Sequence, residues 1–314
     1  MTLSTHHWIV GPGALGRLIG LRLATSGSLV TLAGRRPLPE RQTLITPEGT
    51  RLDATLFTTT LANLAGTPDV VHLTTKAYGA ETAHAALAPR LPAGTPLVLW
   101  QNGFGCQPRL TERHDGPVLC ATTTEGAFVE GDDRVVHAGH GETLIGDLSP
   151  SSNAAHGELA RTLASALTQA GLPARAVDDI RRRLWQKLAV NAAINPLVAR
   201  FRILNGQLRD PRYRPLVESL IAEVAAILAA EGIDPPEGQG APGWQALVWR
   251  VIEGTAGNRA SMLQDVLAAR PTEHEAILGP LLDAADAHGL QAPGLAELAA
   301  WLRQRELAGI GNCC

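Results

Sequence analysis

Short apolar runs alternate with helical spacing through the first half of the chain. The runs predict strands at residues 8–10, 28–33, 70–73, 97–100 and 118–121. Apolar positions recur every three or four residues over 14–26 and again near 81–91, which predicts helices between the strands. This alternation is typical of a parallel sheet covered by helices on both faces. Residues 135–145 predict an antiparallel strand pair at the edge of that sheet.

Strand patterns disappear after about residue 178, and long helical patterns follow. The predicted helices are residues 178–195, 215–231, 244–254, 256–269, 272–288 and 295–306. We therefore predict an α/β domain over residues 1–177 and an all-helical domain over residues 178–314.

Composition narrows the class of protein. Of 314 residues, 45% are hydrophobic and 18% are charged, which fits a folded globular protein. The net charge of −3 gives no reason to expect nucleic acid or an anionic membrane as a partner, and no apolar run predicts a transmembrane helix. Four irregularly spaced cysteines predict neither a disulfide framework nor a metal site, which favours the reducing cytoplasm. We expect the terminal pair, Cys313 and Cys314, to be an inert tail.

A glycine-rich motif follows the first predicted strand and begins the first predicted helix. It has the pattern G-x-G-x-x-G and consists of Gly11, Pro12, Gly13, Ala14, Leu15 and Gly16. In this context the glycines permit a tight turn, close approach of a pyrophosphate and close packing of helix on strand. The motif therefore predicts a Rossmann-type dinucleotide-binding domain, with the phosphates at the N-terminus of the helix.

The end of the second predicted strand favours NADP(H) over NAD(H). An NAD site usually places an acidic residue about 20 residues after the glycines, to bind the ribose 2′-hydroxyl. This strand ends instead in Gly34, Arg35 and Arg36. A guanidinium binds a 2′-phosphate through charge-assisted hydrogen bonds. Either arginine could do so, and we expect the other to be solvated.

Only two of the 27 basic residues are lysines, Lys76 and Lys187, so each is a candidate for a specific role. On a helix Lys187, Asn191 and Asn195 share one face, and their neighbours are apolar. A lysine on such a face can polarise a carbonyl and donate a proton to the developing alkoxide. The spacing is equally compatible with a lysine that reaches solvent from a buried helix while both amides make structural hydrogen bonds.

A second polar face with helical spacing is predicted near the C-terminus and consists of Asn258, Ser261 and Asp265. Thr272 and Glu275 then have the spacing of a capping box, which would begin the next helix. Glu273 falls in the first turn of that helix, where its position alone favours a capping role.

Two polar loops follow predicted strands of the first domain. They are residues 74–76, which end in Lys76, and residues 101–103, which contain Asn102. Ligands bind at the carboxyl ends of strands in open α/β sheets. Ordinary turn chemistry explains each loop at least as well.

Together these motifs resemble the ketopantoate reductase (2-dehydropantoate 2-reductase) family over nearly the full length of the chain. The run Lys-Leu-Ala-Val-Asn from Lys187 and the run Ser-Met-Leu-Gln-Asp from Ser261 carry most of the resemblance. The family reduces 2-dehydropantoate to (R)-pantoate with NADPH, in pantothenate synthesis. Its fold is a Rossmann domain followed by a helical domain, with the active site in the cleft between them.

The resemblance also implies roles for individual residues. Lys187 would be the general acid, and Glu273 would hold the substrate hydroxyl and the cofactor. The implied cofactor contacts are the six residues of the glycine motif, Arg35, Lys76, Asn102 and Glu273. The implied substrate contacts are Asn102, Lys187, Asn191, Asn195, Asn205, Asn258 and Ser261.

The chain departs from the family pattern at Glu125, His274 and Leu278. These departures leave open a reductase of another branched 2-oxo acid. A non-catalytic NADP(H) binder is a third hypothesis, which the presence of Lys187 and Glu273 disfavours. Apolar helical faces of the second domain are compatible with a homodimer interface and equally with a core.

Overall fold

The structure is a computed structural model that describes residues 5–148 and 154–311. The chain forms two compact units. The first unit runs to Gln101 and resumes from Cys106 to Arg183, and the second comprises Asn102–Gly105 and the chain from Leu184 onward. The terminal cysteines Cys313 and Cys314 lie outside the described residues. Among the helices described, none is both long and apolar enough to cross a membrane.

The strands of the described residues all belong to the first unit. In chain order they are β1 (His6–Val10), β2 (Leu29–Gly34), β3 (Arg41–Ile45), β4 (Arg51–Thr55), β5 (Phe57–Thr60), β6 (Val70–Leu73), β7 (Leu97–Leu99), β8 (Val118–Thr123), β9 (Gly126–Val129), β10 (Arg134–Gly139), β11 (Thr143–Gly146) and β12 (Ala174–Ala176). The helices of this unit are α1 (Ala14–Thr25), α2 (Ala77–Leu87), α3 (Cys106–Arg113) and α4 (Ala154–Gln169). The predicted strands are confirmed as β1, β2, β6, β7 and β8.

The main sheet has the strand order β12, β11, β8, β7, β6, β1, β2, β5. Its strands from β8 to β5 run parallel, which confirms the predicted α/β fold. β1 lies between β2 and β6, so the chain leaves it on one side and returns on the other. Such a reversal of strand order opens a crevice at the carboxyl ends of the strands, where dinucleotides bind. Gly11 and Thr74 follow β1 and β6 at this edge.

A second sheet has the strand order β4, β3, β10, β9 and corrects one prediction. Residues 135–145 were expected to form an antiparallel pair, but β10 pairs with β3 and β9, whereas β11 pairs with β8 and β12 in the main sheet. Alternating apolar positions identify a strand but not its partner. The strands β3, β4, β5 and β9 and the helix α4 were not predicted, because their apolar patterns are short or interrupted by polar residues.

Arg17, in the second turn of α1, ties this helix to the second sheet. Its buried guanidinium donates to the carbonyl oxygens of Gly131, Asp132 and Arg134 at 2.8, 2.7 and 2.9 Å. A further bond of 3.2 Å reaches Oε1 of Gln42. Because a guanidinium has five donors in one plane, this single side chain fixes the turn between β9 and β10.

The second unit is helical, as predicted. Its helices are α5 (Ile180–Phe201), of which the part from Leu184 belongs to this unit, α6 (Arg214–Ala230), α7 (Gly240–Gly254), α8 (Ser261–Leu267), α9 (His274–Ala287) and α10 (Pro293–Gly311). They pack around a core of buried side chains that includes Leu188, Val217, Trp244 and Leu281.

One predicted helix of this unit is shorter than expected. The helix expected over residues 256–269 begins only at Ser261. The carbonyls of Ala256 and Asn258 accept instead from the backbone N–H groups of Gly206 and Asn205, at 3.0 and 3.1 Å. Asn258 therefore lies before α8. The prediction that it shares a helical face with Ser261 and Asp265 is wrong.

Candidate active site

The glycine-rich turn has the geometry of a dinucleotide-binding loop. Gly11 has φ = +92°, and a Cβ on it would lie 2.6 Å from the backbone N of Thr75. A Cβ on Gly16 would lie 2.5 Å from Oγ1 of Thr74. At Gly13, by contrast, the nearest protein atom would be 4.0 Å away. Two of the glycines are therefore required by the packing of the protein itself, whereas Gly13 keeps the start of α1 clear of any side chain.

The N-terminus of α1 fits a pyrophosphate. The helix begins at Ala14 after Gly13, which has no side chain that could cap it. The first amides of a helix lack intrahelical acceptors, and an anion that approaches them also interacts favourably with the helix dipole. The start of α1 is thus compatible with a phosphate group, and a Cβ at Gly13 would take up part of the space in front of it.

The two arginines after β2 differ in their contacts. Arg36 forms an ion pair of 2.5 Å with Asp132, and this bond raises the pKa of the Arg36 guanidinium. The turn that carries Asp132 is itself held by Arg17. Arg35 is exposed, and its side chain has no ion pair or hydrogen bond to the described residues. Arg35 is therefore the arginine available to a ligand.

Lys76 occupies the N-cap position of α2, shortly after the end of β6. β6 pairs with β1, the strand that leads into the glycine-rich turn. The side chain of Lys76 is half-buried and has an interaction of its own. The predicted loop 74–76 thus lies at the carboxyl edge of the sheet, as the ligand hypothesis requires.

Asn102 belongs to the second unit, where contacts of the next two residues, Gly103 and Phe104, hold its backbone in place. The backbone N–H of Phe104 donates to the carbonyl of Ala276 at 2.9 Å, and the Phe104 ring lies 5.4 Å from that of Trp185. Gly103 has φ = +81°, and a Cβ on it would lie 2.1 Å from the oxygen of Ala276. Only glycine allows this approach, so Gly103 determines where the Asn102 side chain begins.

Asn102 joins the two candidate catalytic residues. The ammonium of Lys187 donates to Oδ1 of Asn102 at 2.8 Å, and Nδ2 of Asn102 donates to Oε2 of Glu273 over a longer 3.4 Å. An ammonium can only donate and a carboxylate can only accept. The two charges therefore fix the orientation of the amide between them, and the structure brings Lys187, Asn102 and Glu273 together.

The surroundings of Lys187 weaken its hold on its proton. Burial lowers the pKa of the ammonium from 10.5 to about 8, while the negative charge of Glu273 acts in the opposite direction. Desolvation disfavours the charged amine, and a nearby carboxylate favours it. Lys187 is thus protonated at neutral pH and close enough to its pKa to give the proton up.

Two predictions about Glu273 and its neighbours are wrong. Glu273 is the N-cap residue of α9, but its side chain does not cap the helix and is only 6% exposed. Thr272 forms no capping box with Glu275, because its backbone N–H and its hydroxyl both donate to Oε1 of Glu306, each at 2.8 Å. The carboxylate of Glu273 accepts instead from Nδ2 of Asn102.

Glu306 is a site residue that the sequence did not reveal. Its carboxylate binds the residue before Glu273, and Nδ1 of His274 lies 3.0 Å from the Thr272 hydroxyl. Since that hydroxyl gives its proton to Glu306, it accepts one from His274. Both neighbours of Glu273 are thus held by one carboxylate on α10. Helical periodicity predicts the helix but not a contact 34 residues away.

The remaining predicted substrate residues lie in the second unit. Asn191 and Asn195 follow Lys187 on α5 at intervals of four residues, as predicted, and Asn195 is buried whereas Asn191 is half-buried. Asn205 is buried and Asn258 is exposed, and a backbone hydrogen bond of 3.1 Å joins them. Ser261 is exposed at the first residue of α8.

Each departure from the family pattern has a local structural partner. Oε2 of Glu125 lies 2.6 Å from Nε2 of buried His137. His274 belongs to the contact with Thr272 and Glu306, and Leu278 is fully buried in the helical core. Each departure therefore has a contact within the protein itself.

Comparison with known proteins gives matches over both units. A family model described as ketopantoate reductase PanE/ApbA matches residues 8–150, and one described as ketopantoate reductase PanE/ApbA C terminal matches residues 179–306. A 2-dehydropantoate 2-reductase from Vibrio cholerae serotype O1 is 34% identical, over 91% of this chain and 92% of the relative.

Solved structures match the fold. The ternary structure of D-mandelate dehydrogenase with NADH and anilino(oxo)acetate has a TM-score of 0.86 at 24% identity, over 98% of this chain and 100% of its own. A dimeric ketopantoate reductase from Staphylococcus aureus has a TM-score of 0.80 at 24% identity, over 97% of this chain and 99% of its own. At these identities the likeness concerns the fold.

Replacing Glu306 with Ala tests its contact with Thr272. Because two donors lose a charged acceptor, we expect the free energy of unfolding to fall by about 2 kcal/mol in denaturant titration. Glu297→Ala is the matched control on the same helix, since Glu297 is exposed and pairs only across the surface with Arg200. It should cost less than about 1 kcal/mol. Equal losses in the two variants would contradict a specific role for Glu306.

Proposed function

The chain belongs to the ketopantoate reductase family, and we propose that it reduces 2-dehydropantoate to (R)-pantoate with NADPH, a step of pantothenate biosynthesis. It is an oxidoreductase that acts on a CH–OH group. The observation that carries the proposal is the Lys187–Asn102–Glu273 arrangement, because it supplies a proton donor of suitable pKa beside two polar groups.

The reaction needs one hydride and one proton. Bound NADPH would supply the hydride for C2 of the substrate, and the carbonyl oxygen would then need a proton. The ammonium of Lys187 donates its proton to that oxygen and is itself reprotonated from solvent. Asn102 orients the ammonium through Oδ1, and the charge of Glu273 keeps Lys187 protonated until the alkoxide develops.

Cofactor and substrate contacts complete the proposal. The cofactor would be held by Gly11 to Gly16 at the pyrophosphate, Arg35 at the 2′-phosphate, and Lys76, Asn102 and Glu273. Amide and hydroxyl groups would bind the substrate oxygens, and they are those of Asn102, Asn191, Asn195, Asn205, Asn258 and Ser261. We assign cofactor binding chiefly to residues 1–177, and catalysis and substrate binding to residues 178–314 together with Asn102, which belongs to the second unit.

No observation favours a different substrate or a non-catalytic role. Glu125 and His274, which left another 2-oxo acid open, bond to His137 and Thr272. A regulator without catalysis would not need a lysine and a carboxylate joined through one amide. We propose a cytoplasmic enzyme, supported by Cys106 and Cys120, which are buried and form no disulfide bond among the described residues, and a homodimer, by analogy with the dimeric relative.

The activity is tested by following NADPH oxidation with 2-dehydropantoate. We expect turnover by the wild type, and a loss in kcat of about a thousandfold in Lys187→Ala, because a positioned general acid contributes on that order. Binding of NADPH, measured by fluorescence titration, should persist in the variant. The proposal fails if the wild type does not turn over, or if Lys187→Ala retains its kcat.

The pKa of Lys187 predicts an alkaline limit to the reaction. The ammonium is the reactive form, so kcat/KM for reduction should decline as the pH rises through about 8. In Glu273→Gln the pKa of Lys187 loses the contribution that raises it, and the decline should therefore begin at lower pH. Glu297→Gln, at the surface of α10, should leave the profile unchanged. An identical alkaline limb in wild type and Glu273→Gln would refute this assignment.

Separate replacement of the two arginines tests the cofactor assignment. Arg35→Ala should raise the KM for NADPH by roughly 10- to 100-fold, because charge-assisted bonds to the 2′-phosphate are lost, and should barely change the KM for NADH. Arg36→Ala should have the smaller effect, since Arg36 is paired with Asp132. A larger effect from Arg36→Ala would reverse the assignment.

A further inference from the structure

The hydroxyl of Thr255, at the end of α7, donates its single proton to one backbone carbonyl. Oγ1 of Thr255 lies 2.6 Å from the carbonyl oxygen of Val251, one turn earlier. A carbonyl can only accept, so the single hydroxyl proton is committed to this bond. The oxygen of Thr255 can then serve any other neighbour only as an acceptor.

That neighbour is the side-chain amide of Asn205, 2.9 Å away. Because Thr255 can only accept from it, the amide must turn its Nδ2 toward Thr255. The orientation of the Asn205 side chain is therefore fixed, because the Thr255 hydroxyl has no second proton to donate. Its oxygen, Oδ1, points away from Thr255.

Oδ1 of Asn205 is buried and has no hydrogen-bond partner among the described residues. The residue is only 7% exposed. Its backbone cannot move to relieve this, since the N–H groups of Asn205 and Gly206 bond to the carbonyls of Asn258 and Ala256. A Cβ at Gly206 would lie 2.7 Å from that of Ala256, which shows how closely the two segments pack. A buried acceptor without a donor costs free energy and calls for a functional explanation.

We infer that Thr255 is a positioning residue that holds Asn205 as a dedicated hydrogen-bond acceptor for a hydroxyl of the substrate. The inference rests on the proposed function and deepens it by selecting among 2-oxo acids. The carboxylate and keto groups of 2-dehydropantoate can only accept at neutral pH, and its C4 hydroxyl is its sole donor. The site thereby favours a 2-oxo acid that carries a hydroxyl group over the same acid without one.

Two substrates that differ in one oxygen atom test this inference. They are 2-dehydropantoate and 3,3-dimethyl-2-oxobutanoate, which lacks only the C4 hydroxyl. In Thr255→Val the side chain keeps its shape but no longer fixes the amide. We expect kcat/KM for 2-dehydropantoate to fall about tenfold, mainly through KM, and kcat/KM for the deoxy substrate to stay within about twofold. Thr255→Ser, which keeps the hydroxyl, should restore the preference.

Thr111→Val is the matched control. Thr111 makes the same bond to the carbonyl of the residue one turn earlier, Gln107, but lies on α3 in the first unit. It should change neither substrate, and thermal melting should show that all variants are folded.

The outcomes separate this inference from the proposed function. If the wild type reduces 2-dehydropantoate but Thr255→Val loses activity equally on both substrates, Asn205 has only a structural role, and the inference is overturned. An unchanged preference in Thr255→Val overturns it as well. If the wild type reduces neither substrate, the proposed function itself fails, and this inference fails with it.

Discussion

A lysine ammonium among the apolar side chains of α5 is the constraint on which the candidate site depends. A buried charge is tolerated only with partners that replace water. Lys187 has Asn102 within 2.8 Å and the carboxylate of Glu273 beyond it. Neither of these two partners is on α5, so both contacts form only when two other segments of the second unit are in place.

Those two segments are fixed by contacts of residues to which we assign no part in the reaction. The Asn102 segment is held through Phe104 and through the close approach of Gly103 to Ala276. The turn that carries Glu273 is held by the carboxylate of Glu306. An acid catalyst must be positioned to within a fraction of an ångström, and here distant backbone contacts set that position.

The same burial gives a chemical reason for a lysine at this position, in a chain where only two of the 27 basic residues are lysines. A guanidinium keeps its proton under all ordinary conditions, whereas desolvation brings the pKa of Lys187 to about 8. Lysine can thus give a proton to an alkoxide near neutral pH. The two lysines of the sequence both lie at candidate ligand positions, Lys76 after β6 and Lys187 on α5.

The sequence by itself determined the central strands, most of the long helices and the residue types that meet around Lys187. Periodicity identified β1, α1 and α5, and the glycine motif identified the dinucleotide-binding turn, because these features depend on residues close together in the chain. The partners of strands, hydrogen bonds and ion pairs could not be predicted from local sequence patterns. The strands β10 and β11 went to different sheets, Thr272 bonded to Glu306 instead of Glu275, and Arg36 was taken by Asp132. Only the tertiary structure decided these partners, because a hydrogen bond or ion pair depends on which atoms meet in space and local spacing carries no information about segments far apart in sequence.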